Sequence, residues 1–203
     1  LMNKSFIIKI IVFCLVTIKA SAIEKVILFG DSLMAGYGLP NEQHLSVVLQ
    51  NSLELEGYNI EIVNGSVSGS TSSGGLNIAE WTLSESNIDL MILCLGANDM
   101  LRGINPKETK NNLEEIIKIA KNKNIKVIIA GMIAPTSYGS NYKKSFDKIF
   151  YDLSKKYKLQ LIPFLLEGVA QKPEFNLSDG MHPNDQGTII IGNTLKNAIL
   201  ENL

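Results

Sequence analysis

Gly30-Asp31-Ser32-Leu33 sets a serine directly after an apolar, strand-like run that ends at Phe29. A hydroxyl is a weak nucleophile and needs a neighbouring base to take its proton. The chain holds two histidines, His44 and His182. His44 falls in the first turn of a predicted amphipathic helix and reads as a half-exposed surface residue. His182 lies in Asp179-Gly180-Met181-His182-Pro183. A turn of that spacing can bring the Asp179 carboxylate against one ring nitrogen while the other faces outward. The carboxylate then fixes the tautomer and stabilises the imidazolium that forms as a serine loses its proton.

Two more blocks can steady a developing negative charge. Asn98, in Gly96-Ala97-Asn98-Asp99, carries a side-chain NH₂. Gly69 closes Asn64-Gly65-Ser66-Val67-Ser68-Gly69, and a glycine lets a ligand approach the backbone N–H. The N–H of Ser32, at a helix start, is a natural third donor. Taken singly, each block has a plainer reading. Gly-Asp-Ser makes turns and helix caps, Asp179 can begin an Asx turn, Asn98 can sit in a turn and Gly69 in a loop. Four blocks in this order, three of them at strand ends, argue for chemistry together. Met34 occupies the last position of what would be Gly-x-Ser-x-Gly, so the nucleophile elbow of ordinary α/β-hydrolases is absent.

The elements that must position these residues alternate in type. Residues 25–29, 59–63, 90–95, 126–130 and 159–162 are short runs rich in Ile, Val and Leu and read as strands. Helix-period stretches fall between them at about 42–56, 76–84, 107–121 and 143–156, with a last one at 186–200. Leu113, Ile116, Ile117 and Ala120 form one apolar face, and Phe146, Ile149, Phe150 and Leu153 another. Pro106 suits a first helical turn. Such alternation predicts a mostly parallel sheet with helices on both faces. Sites in open sheets of this kind form beyond the carboxyl ends of the strands, at a topological switch point. Ser32, Gly69 and Asn98 should therefore share one edge.

The 203 residues, 45% of them hydrophobic, suggest one domain with ample core. Basic residues at Lys4 and Lys9, an apolar stretch over 10–18 and Ala20-Ser21-Ala22 predict a signal peptide over 1–22 ahead of a domain at 23–203. The apolar stretch is short for a membrane span, so no stable span is expected after cleavage. The expected destination is outside the cytoplasm, periplasmic or secreted. Without residues 1–22 the chain carries 16 basic against 20 acidic side chains, a net charge of −4. That leaves no electrostatic footprint for nucleic acid. Cys94, within an apolar run, reads as a buried strand residue.

On these blocks the chain resembles the SGNH (GDSL) hydrolases. Gly30-Asp31-Ser32-Leu33 is similar to their first block, Gly69 falls at the glycine of the second, Gly96-x-Asn98-Asp99 looks like the third and Asp179-x-x-His182-Pro183 like the fifth. The stretches 30–38 and 98–103 look most similar to the thioesterase I, lysophospholipase L1 and arylesterase branch. The resemblance implies a flavodoxin-like three-layer α/β/α sandwich with strand order 2-1-3-4-5. It implies hydrolysis of acyl esters or thioesters through an acyl-enzyme on Ser32, with His182 as base, Asp179 orienting it, and Ser32, Gly69 and Asn98 forming the oxyanion hole. It implies neither metal nor cofactor, a small-molecule acyl substrate as partner, and a monomer.

An acyl chain needs an apolar trough beside Ser32. Leu76, Ile133, Pro135 and Tyr138, with Asp31, are the candidate substrate-binding residues. Phe146 and Trp81 read instead as helix-to-sheet packing, and Gly74-Gly75 and Gly139-Ser140 permit hinge motion. The competing readings are a carbohydrate O-acetyl esterase on the same fold and a catalytically silent ligand-binding domain. A zinc hydrolase is weaker still, because two distant histidines without His-Glu-x-x-His make a poor metal signal.

Overall fold

The strand-like runs are the five strands of a single parallel sheet. The computed structural model describes residues 23–203, so the predicted signal segment lies outside the described residues. The strands are β1 (Lys25–Gly30), β2 (Glu61–Asn64), β3 (Leu90–Cys94), β4 (Lys126–Ala130) and β5 (Gln160–Ile162). They lie in the order β2-β1-β3-β4-β5, each pair parallel. β3 is buried along its whole length and β1 nearly so, the pattern of central strands covered on both faces.

Two helix layers supply the cover. Helix α2 (Leu45–Leu55) packs on α7 (Asp185–Leu200). On the other side α3 (Ser72–Thr82) packs on α5 (Pro106–Asn122), and α5 on α6 (Ser140–Tyr157). The apolar faces read from periodicity point inward. Leu113, Ile116, Ile117 and Ala120 of α5 are buried, as are Phe146, Ile149, Phe150 and Leu153 of α6. This is the predicted α/β/α sandwich with the predicted strand order.

The differences from expectation lie at element ends. Helix α3 begins at Ser72 rather than 76, because Thr71 caps it by accepting the Gly74 N–H at 3.1 Å. Gly74 and Gly75 are therefore inside a helix and are not a hinge. A Cβ on Gly75 would lie 2.3 Å from Leu95 Cδ1, so glycine here lets the helix approach the sheet. Trp81 is 81% exposed and packs into neither layer, because the last turn of α3 directs it to solvent. His44 stands just before α2, after a 3₁₀ turn at Asn41–Gln43, with its Nε2 3.1 Å from the Leu39 carbonyl oxygen. The short helix α1 (Ser32–Ala35) begins at Ser32, the expected helix start, while a second short helix, α4 (Ala97–Leu101), stands where a turn is expected. One turn of helix is too short to leave a periodic apolar pattern.

Candidate active site

Strand β1 pairs with β2 on one side and β3 on the other. The chain leaves β1 and β3 toward opposite helix layers, so their carboxyl ends flank the crevice of a topological switch point. Ser32 follows β1 by two residues as the first residue of α1. Asn98 follows β3 within α4. Gly69 lies in the connection from β2 to α3, so all three share the carboxyl edge.

His182 arrives from far along the chain. The segment after β5 returns across the sheet edge and forms an isolated antiparallel bridge between Asn176 and Pro183. The Leu177 N–H donates to the His182 carbonyl at 2.7 Å, and the Asn184 N–H to the Phe175 carbonyl at 3.0 Å. Asn184 then caps α7 by accepting the Gly187 N–H. The chain on either side of Pro183, His182 included, is thus fixed by backbone hydrogen bonds.

The ring meets a partner at each nitrogen. Nδ1 is 2.6 Å from Asp179 Oδ2, and Nε2 is 2.9 Å from Ser32 Oγ. Asp179 Oδ1 accepts the backbone N–H groups of Met181 at 2.8 Å and His182 at 3.0 Å. These backbone donors, the His182 N–H first, hold the Asp179 carboxyl down at about 2. An ionised carboxylate only accepts, so Nδ1 carries the ring proton and Nε2 presents its lone pair to the serine. Tyr37 covers one face of the imidazole, its ring centroid 4.4 Å away.

The candidate oxyanion donors are uncommitted where they need to be. Among the described residues, no acceptor partners the Ser32 N–H or the Gly69 N–H. Gly69 occupies the third position of a turn closed by the Ser70 N–H on the Val67 carbonyl at 3.0 Å. Its φ of +78° is what a type II turn demands there. A Cβ at Gly69 would meet no protein atom, so conformation rather than crowding selects glycine. One N–H of the Asn98 side chain goes to Asp31 Oδ2 at 3.2 Å, which leaves the other free.

Asp31 does not line a substrate surface, and that expectation is corrected. It is fully buried and caps α1 by accepting the Leu33 N–H at 3.1 Å. Burial pushes its carboxyl up to about 6, against the opposing pull of the Leu33 and Asn98 donors. Of the other substrate-binding candidates, Ile133 and Pro135 are exposed on the loop after β4. Tyr138 is half-buried with its ring 5.5 Å from that of Tyr142, and Leu76 is a half-buried residue of α3. A small hollow against Ser32, too tight for an acyl chain, is walled by Leu33, Gly36, Tyr37, Leu39, Leu45, Pro183 and Thr188.

Sequence reasoning gave no role to Tyr37, Asp99 or Arg102. Asp99 is fully buried, accepting the Ser72 N–H at 2.7 Å, the Ser72 hydroxyl, and the Thr109 hydroxyl at 3.0 Å. Arg102 donates to the Gly69 carbonyl at 3.1 Å. For Asp99 and Arg102 the available signal was their place one and four residues after Asn98. Cys94 is buried and its thiol is pushed well up by desolvation. Among the described residues, no cluster of three or more His, Cys, Asp or Glu side chains is placed to hold a metal ion, and both nitrogens of His182 are already engaged.

The model of the GDSL-like Lipase/Acylhydrolase family matches residues 28–188. An arylesterase of Vibrio mimicus is 37% identical over 177 residues, covering 87% of this chain and 88% of that one. The thioesterase 1/protease 1/lysophospholipase L1 of Escherichia coli (strain K12) is 32% identical over 170 residues, 84% of this chain and 80% of that one. The crystal structure of TesA superposes with a TM-score of 0.84 at 32% identity, covering 89% of this chain and all of that one.

Proposed function

The chain belongs to the GDSL-like lipase/acylhydrolase family, and from that premise we propose that it hydrolyses acyl esters or thioesters through an acyl-enzyme on Ser32. The observation that carries this reading is the continuous line Asp179–His182–Ser32, at 2.6 and 2.9 Å, beside three uncommitted donors. Relatives named arylesterase and thioesterase 1/lysophospholipase L1 support the ester-bond class.

In the first half-reaction Ser32 Oγ attacks the carbonyl carbon and its proton passes to His182 Nε2. The carbonyl oxygen gains the negative charge. Ser32 N–H, Gly69 N–H and Asn98 Nδ2 hold it, and each such donor typically contributes about 10²–10³ in rate. Collapse of the tetrahedral intermediate expels the alcohol or thiol, which takes the proton from His182. In the second half-reaction His182 accepts a proton from water as the water attacks the acyl-serine. Collapse then releases the carboxylic acid, and the proton returns to Ser32 Oγ. Asp179, ionised throughout, offsets the positive imidazolium each time it forms.

The loops at the carboxyl edge favour an acyl group over a polar sugar. Tyr37, Val67, Leu101, Ile133 and Met181 all expose apolar side chains there. Single exposed hydrophobics are ordinary, but five on the rim of one site offer apolar contact to a chain. We assign substrate contact to Ile133 of this rim, and to Pro135, Tyr138 and Leu76 beside it. Among the described residues no helix is long and apolar enough to cross a membrane. The proposed setting is outside the cytoplasm, in keeping with the predicted signal segment, and the proposed form is a monomer.

A chain-length series of p-nitrophenyl esters, run beside acyl-CoA and acetylated sugars, tests the substrate class. The expected result is turnover that rises from acetyl to longer acyl groups. Activity confined to acetylated sugars would replace this reading with that of a carbohydrate O-acetyl esterase.

A further inference from the structure

Helix α4 reaches the loop that carries Gly69 at two points. Asp99 binds its far end through the Ser72 N–H and hydroxyl, and Thr109 Oγ1 and Asn112 Nδ2 complete that buried network from α5. Arg102, one residue past the helix, binds its near end through the Gly69 carbonyl. Asn98 lies on the same helix, one residue before Asp99. A single rigid turn therefore carries one oxyanion donor and grips the segment that carries another.

The grip matters because the Gly69 N–H belongs to the central peptide of a four-residue turn. A shift of this loop would carry the N–H away from the site. Holding the Gly69 carbonyl, on the peptide that follows, and the Ser72 amide fixes where Gly69 stands against Asn98. The Asp99 end is buried and provides the anchor, while the Arg102 end is exposed and acts on Gly69 itself.

We propose that Asp99 and Arg102 are positioning residues that set the Gly69 N–H against the Asn98 amide. This rests on the oxyanion role proposed above for Gly69 and Asn98. Neither residue touches the reacting atoms. Their effect belongs to the transition state, where charge on the oxygen is greatest, and so to kcat rather than KM.

The test compares Arg102→Ala, Arg102→Lys and Asp99→Asn with the parent protein and with Ser32→Ala. Two substrates are used, the neutral p-nitrophenyl butyrate and a long-chain acyl-CoA whose leaving group is anionic. Arg102→Ala should lose about tenfold in kcat on both substrates, with KM, melting temperature and the pH midpoints of kcat unchanged. Arg102→Lys should recover part of the loss. Asp99→Asn should lose about tenfold in kcat, because the amide that keeps its oxygen on the Ser72 N–H turns an NH₂ toward the Ser72 and Thr109 hydroxyls and reverses the bonds that anchor the loop. Asp99 is buried, so its result is read with its melting temperature, while the exposed Arg102 variants keep the fold and decide the matter.

Full kcat in Arg102→Ala on the neutral ester would overturn the proposal. So would a raised KM confined to acyl-CoA, which would make Arg102 a contact for the anionic leaving group. In either case loss of turnover in Ser32→Ala would leave the acyl-enzyme reading standing. Parent-like turnover in Ser32→Ala would instead remove that reading.

Discussion

At the scale of single residues, the site depends on buried charge as much as on the serine. Asp31 is adjacent to Ser32, fully buried, and aims Oδ2 at Asn98. Its carboxyl stands at about 6 because burial disfavours the ionised form. In the unfolded chain it would ionise near pH 4. Between about pH 4 and about pH 6 the folded state therefore binds more protons than the unfolded one, and this group's contribution to stability falls as pH rises. In Asp31→Asn that slope should vanish, read as melting temperature against pH. In that variant the amide oxygen stays on the Leu33 N–H, where Asn caps as well as Asp, and the NH₂ faces Asn98, so kcat should fall about 10- to 100-fold as Asn98 loses its acceptor. Equal pH slopes in the two proteins would contradict the burial argument. Asp179 behaves in the opposite sense. Held at about 2, it favours the folded loop above about pH 4, and that contribution is lost as pH falls toward about 2.

At the scale of elements, what was legible in the sequence was what repeats. Continuous Ile, Val and Leu runs marked all five strands, and the 3.6-residue spacing in α5 and α6 identified their buried faces. What periodicity could not carry was legible only in part. α1 and α4 are single turns that hold Ser32 and Asn98; the Gly-Asp-Ser block marks the start of the first, and nothing marks the second as a helix. The start of α3 was missed because Gly74-Gly75 reads as flexible when its neighbours are unknown. Packing gives Gly75 its role, which no single sequence displays. In Gly75→Ala two effects compete. Replacing this glycine, at the end of the first turn of α3, gains at most about 1 kcal/mol of helix propensity. The new Cβ lies 2.3 Å from the buried Leu95, with Phe29 and Ile116 close behind. Overpacking of that kind costs about 1–3 kcal/mol. The balance predicts a lower melting temperature for Gly75→Ala. A higher one would mean that the α3–sheet contact yields easily.

At the scale of the whole molecule, parallel topology turns four scattered blocks into one site. The order β2-β1-β3-β4-β5 places the ends of β1 and β3 side by side. The return of the chain after β5 then brings His182 to Ser32, 150 residues away in sequence. The motifs made this convergence legible, because the strand-end rule gathers Ser32, Gly69 and Asn98 on one edge. The polar ties that Asp31, Asp99 and Arg102 make to Asn98, Ser72 and Gly69 were not legible, since a charged side chain next to a motif reads equally well as solvated. The central claim is that the assembled site makes Ser32 a nucleophile. Reaction with a fluorophosphonate, followed by mass spectrometry of the intact chain and its peptides, tests it most directly. The account predicts a single adduct on Ser32, absent from Ser32→Ala and slowed by orders of magnitude in His182→Ala. Labelling that persists unchanged in Ser32→Ala would contradict it.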